Sequence, residues 1–149
     1  MEPNSKVASH DPWGLHRFEE AQRDSYSIAL DEIRQGEKRS HWMWFVFPQL
    51  AGLGSSSKAQ YYAIHSTEEA QAYLGHPILG PRLLEISRAL SDIQGKSARA
   101  IFGPPDDLKL RSCLTLFSQL DHSPPIFREL LQQYFDGELD PKTLQLLKR

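Results

Sequence analysis

An all-α fold, one compact multi-helix domain with a short irregular aromatic segment at Trp42–Gln49, is the architecture this sequence predicts. Three observations predict it. Apolar residues recur at steps of three and four along most of the chain, helix-capping residues stand where those runs begin, and strand alternation is nearly absent. With 149 residues, 40% of them hydrophobic and 24% charged, the chain can bury one core and is not a disordered polymer.

The elements follow in order. Residues 1–12 end in Asp11-Pro12 without a periodic pattern and read as a mobile lead-in to a domain over residues 13–149. From Trp13, the residues Leu15, Phe18, Gln22, Tyr26, Ala29 and Ile33 share one face of a helix, which Gly36 ends. The stretch Lys38 to Ser57 breaks the pattern. Its aromatic run from Trp42 to Phe47 has no obvious partner strand, so a buried irregular segment is expected.

Helical signals resume after Gly54. A serine cap precedes Lys58 to His65, and Ser66-Thr67-Glu68-Glu69 resembles a capping box opening a helix to Leu74. His76-Pro77 breaks that helix and starts another running to about Ile93, with Pro77 in its first turn. Ser97 opens a short helix to Phe102, and Gly103-Pro104-Pro105 ends it. Asp106–Leu120, Pro125–Phe135 and Pro141–Lys148 complete the series.

Composition narrows the function classes. Seventeen basic against nineteen acidic residues give a net charge of −2, which argues against a general grip on nucleic acid. The longest apolar run is far short of the roughly 20 residues of a membrane helix, and no apolar leader follows Met1. The single cysteine, Cys113, allows no internal disulfide and no cysteine-based zinc site, which makes the cytosol or nucleus the expected compartment. Six scattered histidines lack the i,i+4 spacing of a helical zinc motif, so no metal site is expected; no cofactor is expected either.

The helix opening at Asp106 carries the sharpest chemical signal. Leu110, Leu114, Phe117, Leu116 and Leu120 form an apolar arc that also contains Asp106, Lys109 and Cys113, with Arg111, Thr115, Ser118 and Gln119 opposite. An ammonium group on a core-facing arc, in a first turn where the helix dipole disfavours cations, needs compensation. Either Lys109 pairs with Asp106 or reaches water past the helix end, or it lines a cavity and meets an anionic ligand. Gln22 raises a milder form of the question. It either ties its helix to a loop backbone or contacts a ligand.

Lys38, Arg39, His41, Trp42 and Trp44 set positive charge beside flat rings. That suits a nucleotide base, an aromatic small molecule or single-stranded RNA, although consecutive aromatics usually make core. In the core reading the tryptophan N–H groups need partners, and Gln49 is a candidate. His41 titrates near neutral pH and is a candidate base. Gly52-Leu53-Gly54-Ser55-Ser56-Ser57-Lys58 offers backbone amides at a helix start to an anion, or is a plain turn before a capped helix. It fits neither the P-loop nor the dinucleotide pattern.

Several of these segments together resemble one family. Arg17-Phe18 with Ala21-Gln22, the string KRSHWMWFVFPQ from Lys38 to Gln49, and Gly52-Leu53-Gly54 are the first part of the match. His76-Pro77-Ile78-Leu79-Gly80 with Arg82-Leu83, Phe102-Gly103 with Asp106, and Lys109 to Phe117 are the second. From about Phe18 to Leu147 the chain is similar to the DUF1810 family, sometimes labelled "calpastatin", a label at odds with a sequence that folds. The resemblance implies a single all-α domain from bacterial and fungal soluble proteins, and no established reaction, cofactor or partner. The family's recurring polar positions correspond to Gln22, His41, Gln49, Ser56, Asp106, Lys109 and Ser112. Cys113 stands where the family usually has a second serine.

These readings converge on a site for a small anionic ligand, nucleotide-like or phosphorylated, that is expected to be enzymatic. Lys109, Gly54 and Ser56 hold the anion, Lys38, Trp42 and Trp44 form a charged stacking wall, and Gln22, Gln49 and Ser112 orient the ligand. His41, Asp106 or Lys109 moves protons. The alternative is a non-catalytic interaction module whose polar residues are internal struts. RNA binding through Lys38, Arg39 and the tryptophans is a third reading, which the net charge disfavours. The sequence leaves the oligomeric state open.

Overall fold

The computed structural model describes residues 11–148, and the lead-in expected over residues 1–12 lies outside it except for Asp11 and Pro12. Asp11 belongs to the folded unit. Its carboxylate accepts hydrogen bonds from the Leu15 and His16 backbone N–H groups at 2.7 and 3.1 Å and so caps the first helix.

Among the described residues the chain forms helices α1 (His16–Gln22), α2 (Tyr26–Arg34), α3 (Met43–Val46), α4 (Ser57–Tyr61) and α5 (Thr67–Gly75). They are followed by α6 (Leu79–Ser91), α7 (Ala98–Phe102), α8 (Asp106–Ser118), α9 (Ile126–Phe135) and α10 (Pro141–Leu147). No strand is present in them, only one isolated parallel bridge between Leu50 and Ile64. No helix is long and apolar enough to cross a membrane.

Several expectations change; the helix expected over Lys58–His65, for one, runs Ser57–Tyr61 and leaves Ile64 to the bridge with Leu50. The single helix expected from Trp13 to Gly36 is two, separated by a turn over residues 23–25 in which Ser25 N–H donates to Gln22 O at 3.1 Å. Asp24 and Ser25 favour such local turns over helix propagation. The turn preserves the phase of the apolar residues, so Phe18, Gln22, Tyr26, Ala29 and Ile33 are all buried. The Trp42–Gln49 segment is buried as expected, but its centre is one helical turn, α3.

The caps fall where the serines predict them. Ser56, Ser66 and Ser97 accept from Ala59, Glu69 and Ala100 backbone N–H groups at 3.1, 3.0 and 3.0 Å. α6 is capped differently: His76 Nδ1 accepts from Ile78 and Leu79 N–H, both at 3.1 Å, so Pro77 lies in the turn before it.

α8 is the central rod, packed by α5, α7, α9 and α10, while α6 packs on α2, α5 and α9. Every residue of α8 from Ser112 to Ser118 is buried. Part of its far side, expected to be polar, is buried too, with Gln119 left exposed. Thr115 and Ser118 satisfy their hydroxyls on the Arg111 and Thr115 carbonyls at 2.8 and 2.7 Å. A line of rings crosses the core from Phe18 through Tyr73 and Phe117 to Phe127, with centroids 5.0, 5.7 and 5.6 Å apart.

α5 and α6 meet at Gly80, where an added Cβ would sit 2.0 Å from the Leu74 carbonyl oxygen. That oxygen is backbone and cannot swing aside. Gly80→Ala is therefore expected to destabilise the fold by about 2–3 kcal/mol. Thermal unfolding should show a Tm lower by roughly 5–10 °C.

Candidate functional site

The site is built on the segment after α2, and one carboxylate shapes that segment. Glu32 is buried in α2 and accepts from Arg39 N and Ser40 N at 2.8 and 3.0 Å, from Ser40 Oγ, and from Trp42 Nε1 at 2.8 Å. Glu32, not Gln49, is therefore the partner of the Trp42 indole. Burial pushes its pKa up, but the hydrogen bonds from Ser40, Arg39 and Trp42 outweigh burial and hold it at about 2. The wrap seals Trp42 against Phe47 and Phe102, so Trp42 is core and offers no stacking wall.

Lys38 precedes the wrap. Its N–H donates to Ile101 O at 2.8 Å, and its ammonium lies 2.9 Å from Asp106 Oδ2 and 5.0 Å from the Trp42 centroid. Asp106 opens α8, and its other oxygen lies 3.4 Å from Lys109 Nζ. Lys109 thus has the carboxylate partner that the i,i+3 spacing allows, but shares it with a second lysine. Its ammonium also stands 4.9 Å from the centroid of Trp44, which α3 presents half-buried.

A cavity of about 450 Å³ opens beside this arrangement. Six of the predicted residues line it: Trp44, Gln49, Gly54, Ser56, Lys109 and Ser112. Gln49 is anchored through its carbonyl, which accepts from Ile64 N at 2.9 Å. Gly54 packs so tightly on α4 that an added Cβ would lie 2.8 Å from Ala59 Cβ. Leu53, Pro105 and Leu108 give the wall apolar surface, and Asp140 and Lys142 add charge.

Five predicted residues do not line it. Gln22 is sealed inside and donates to Phe45 O at 2.7 Å and to Tyr73 Oη at 3.1 Å, tying α1 to α3 and α5. Trp42 is sealed by Glu32 as described. His41 is exposed outside the cavity, so it is not placed to act as a base there. Lys38 and Asp106 stand behind the wall as the second cation and the shared carboxylate, and both Asp106 oxygens are engaged.

Two lining residues also have other work. Ser56 caps α4, and at five residues α4 is too short to supply the helix-end field expected at this loop. Ser112 Oγ lies 3.0 Å from Asp140 Oδ2 and 3.2 Å from Leu108 O. Asp140 also accepts from Thr143 N at 3.2 Å, and its own N–H donates to Thr115 Oγ1 at 2.9 Å. This buried cluster clamps α10 onto α8. Asp140 escaped the sequence reading, although Asp before Pro141 is a helix-start signature.

Cys113 is fully buried, and burial pushes its thiol pKa up, which suits an inert side chain. No metal-binding cluster of His, Cys, Asp and Glu occurs among the described residues. A larger groove of about 520 Å³ lies elsewhere, between the C-terminal ends of α2 and α6. It is lined by Arg34, Arg88 and Lys96 together with Glu85 and Asp92, Lys96 Nζ donates to Gly36 O at 3.1 Å, and it contains none of the predicted residues.

Glu32 permits a direct test. Its stability contribution is complete above the ordinary carboxylate value of 4.5 and is lost as the pH falls toward about 2. Glu32→Gln should cost about 3 kcal/mol at pH 7 in urea unfolding. The gap between the variant and the parent should shrink steadily from pH 5 to pH 2.

Comparison with known proteins agrees with this architecture. The chain is similar, at 52% identity and a TM-score of 0.92, to the crystal structure of the conserved hypothetical protein Rv1873 from Mycobacterium tuberculosis. The match covers 93% of this chain and 99% of that one. No curated protein matches. The family model that matches, over residues 12–147, is DUF1810, described as a protein of unknown function. A domain with ten helices among its described residues, in which the start of the KRSHWMWFVFPQ string wraps on the buried Glu32 carboxylate, is therefore the form this chain takes as a member of the DUF1810 family.

Proposed function

We propose that the protein binds a small anionic metabolite, nucleotide-like or phosphorylated, in the cavity walled by Trp44, Gln49, Gly54 and Lys109. The observation that carries this is the sharing of Asp106 by Lys38 and Lys109. One carboxylate balances two ammonium groups, so positive charge is left at the cavity wall; Lys142 adds to it, while Asp140 on the same wall is met by Arg111 at 3.6 Å. Lys109 is only partly exposed, at 26%, which limits how far water screens it. An entering anion completes the compensation that Asp106 begins. The size suits the class, since metabolite sites commonly occupy about 300–1,000 Å³.

Any proton transfer to the ligand falls to Lys109, because His41 stands outside and Asp106 is held between two cations. The single thiol is free and buried, which fits a reducing compartment and hence an intracellular metabolite. An interaction module with internal struts accounts for Gln22, Trp42 and Ser112, but it gives no use for the cation excess.

Titration with nucleotides and sugar phosphates, followed by tryptophan fluorescence and by Tm, tests the proposal. At least one should quench Trp44 and raise Tm. Lys109→Ala should weaken that ligand by about tenfold or more, the scale of one lost charged hydrogen bond, while folding normally. Silence across the whole panel, or unchanged affinity in the variant, removes the reading.

A further inference from the structure

We infer that the cavity recognises the phosphate-type group of its ligand and not a planar base, with Trp44 serving as a platform for the ammonium groups of Lys58 and Lys109. This rests on the anion-binding proposal above and narrows its ligand class to a phosphate monoester or diphosphate with a small non-aromatic body.

The argument begins with the ring. Lys109 Nζ lies 4.9 Å and Lys58 Nζ 5.1 Å from the Trp44 centroid. The two cations come from different elements, α4 and α8, and can be no more than about 10 Å apart, which is within one Debye length at moderate salt. Cation–π contact and base stacking use the same π surface, so a ring already engaged by two ammonium groups is poorly placed to stack a base.

The charge count points the same way. Lys58 has no carboxylate within ion-pair distance among the described residues, and Lys109 has a share of Asp106 only. Three lysines, Lys38, Lys58 and Lys109, therefore stand against two carboxylates around Trp42 and Trp44, Asp106 and the Glu32 that accepts from Trp42 Nε1, and Glu32 is already sealed under Trp42 away from Trp44. Asp140, the other acid of the wall, is occupied by Ser112, Thr143 and the nearby Arg111. The positive charge left on Lys58 and Lys109 beside Trp44 is what a phosphate-type anion neutralises, Lys109 from the cavity wall and Lys58 from the exposed side of α4 next to it. Leu53, Pro105 and Leu108 then cover the uncharged part of the ligand. Lys58 was seen in the sequence only as the end of the glycine–serine loop; its approach to Trp44 depends on the turn that loop makes.

The test is calorimetric titration of the full chain at low salt with inorganic pyrophosphate, ribose 5-phosphate, AMP and adenosine. Ribose 5-phosphate and AMP should bind within about threefold of each other, pyrophosphate should bind, and adenosine should not. Lys58 is exposed, so Lys58→Gln should leave the melting curve unchanged while weakening each phosphorylated probe about tenfold, the effect of one charge-assisted contact. Binding of adenosine alone, or AMP tenfold tighter than ribose 5-phosphate with Lys58→Gln without effect, means base recognition. It overturns this inference and leaves the anion site standing. Failure of every phosphorylated probe removes both.

Discussion

The carboxylate of Glu32 is the interaction on which the site depends. A buried carboxylate without a cationic partner is costly unless its oxygens are fully hydrogen-bonded. Here four donors from Arg39, Ser40 and Trp42 satisfy it, and all four lie within one short stretch of chain. The stretch must therefore wrap around the end of α2. That wrap drives Trp42 inward, directs Lys38 toward the start of α8, and leaves the next turn to present Trp44 at the cavity.

α8 supplies the second half of the arrangement. Packing on nearly all sides makes it rigid, and only its first turns reach the cavity. Charges concentrate there because the rest of the helix has no room for them. Asp106 belongs in a first turn on dipole grounds, whereas Lys109 does not. The shared carboxylate and the Trp44 ring are what make Lys109 tolerable in that position. The Ser112–Asp140–Thr143 cluster holds α10 against the same helix, and the cavity wall is closed by a helix far away in sequence.

Most helices and caps are legible in the sequence, since periodicity and cap chemistry act over a few residues. The exception is instructive. The α1–α2 break leaves the apolar phase intact, so periodicity cannot reveal it. Site residues divide along a physical line. Ser112 entered only through the family resemblance, whereas Gln22, Trp42 and Lys109 each carry a polar group in apolar company, and the pattern states that each needs a partner. It does not state whether the partner is protein or ligand. Gln22, Trp42 and Ser112 find theirs inside the fold, while Lys109 finds only part of one. Glu32 gave no warning because a glutamate in a helix ordinarily faces water.

By itself, then, the sequence determined an all-α domain, its capped helices, and the fact that Lys109 requires compensation. These follow from local geometry and from the cost of burying charge. Only the tertiary structure decided which partners answer which polar groups. Glu32 meets Trp42 across a turn, Lys38 and Lys109 meet at Asp106, and Lys58 and Lys109 each reach the Trp44 ring from a different helix. Those meetings depend on how distant segments pack, and electrostatic energy depends on distances in space that the order of residues along a chain does not contain.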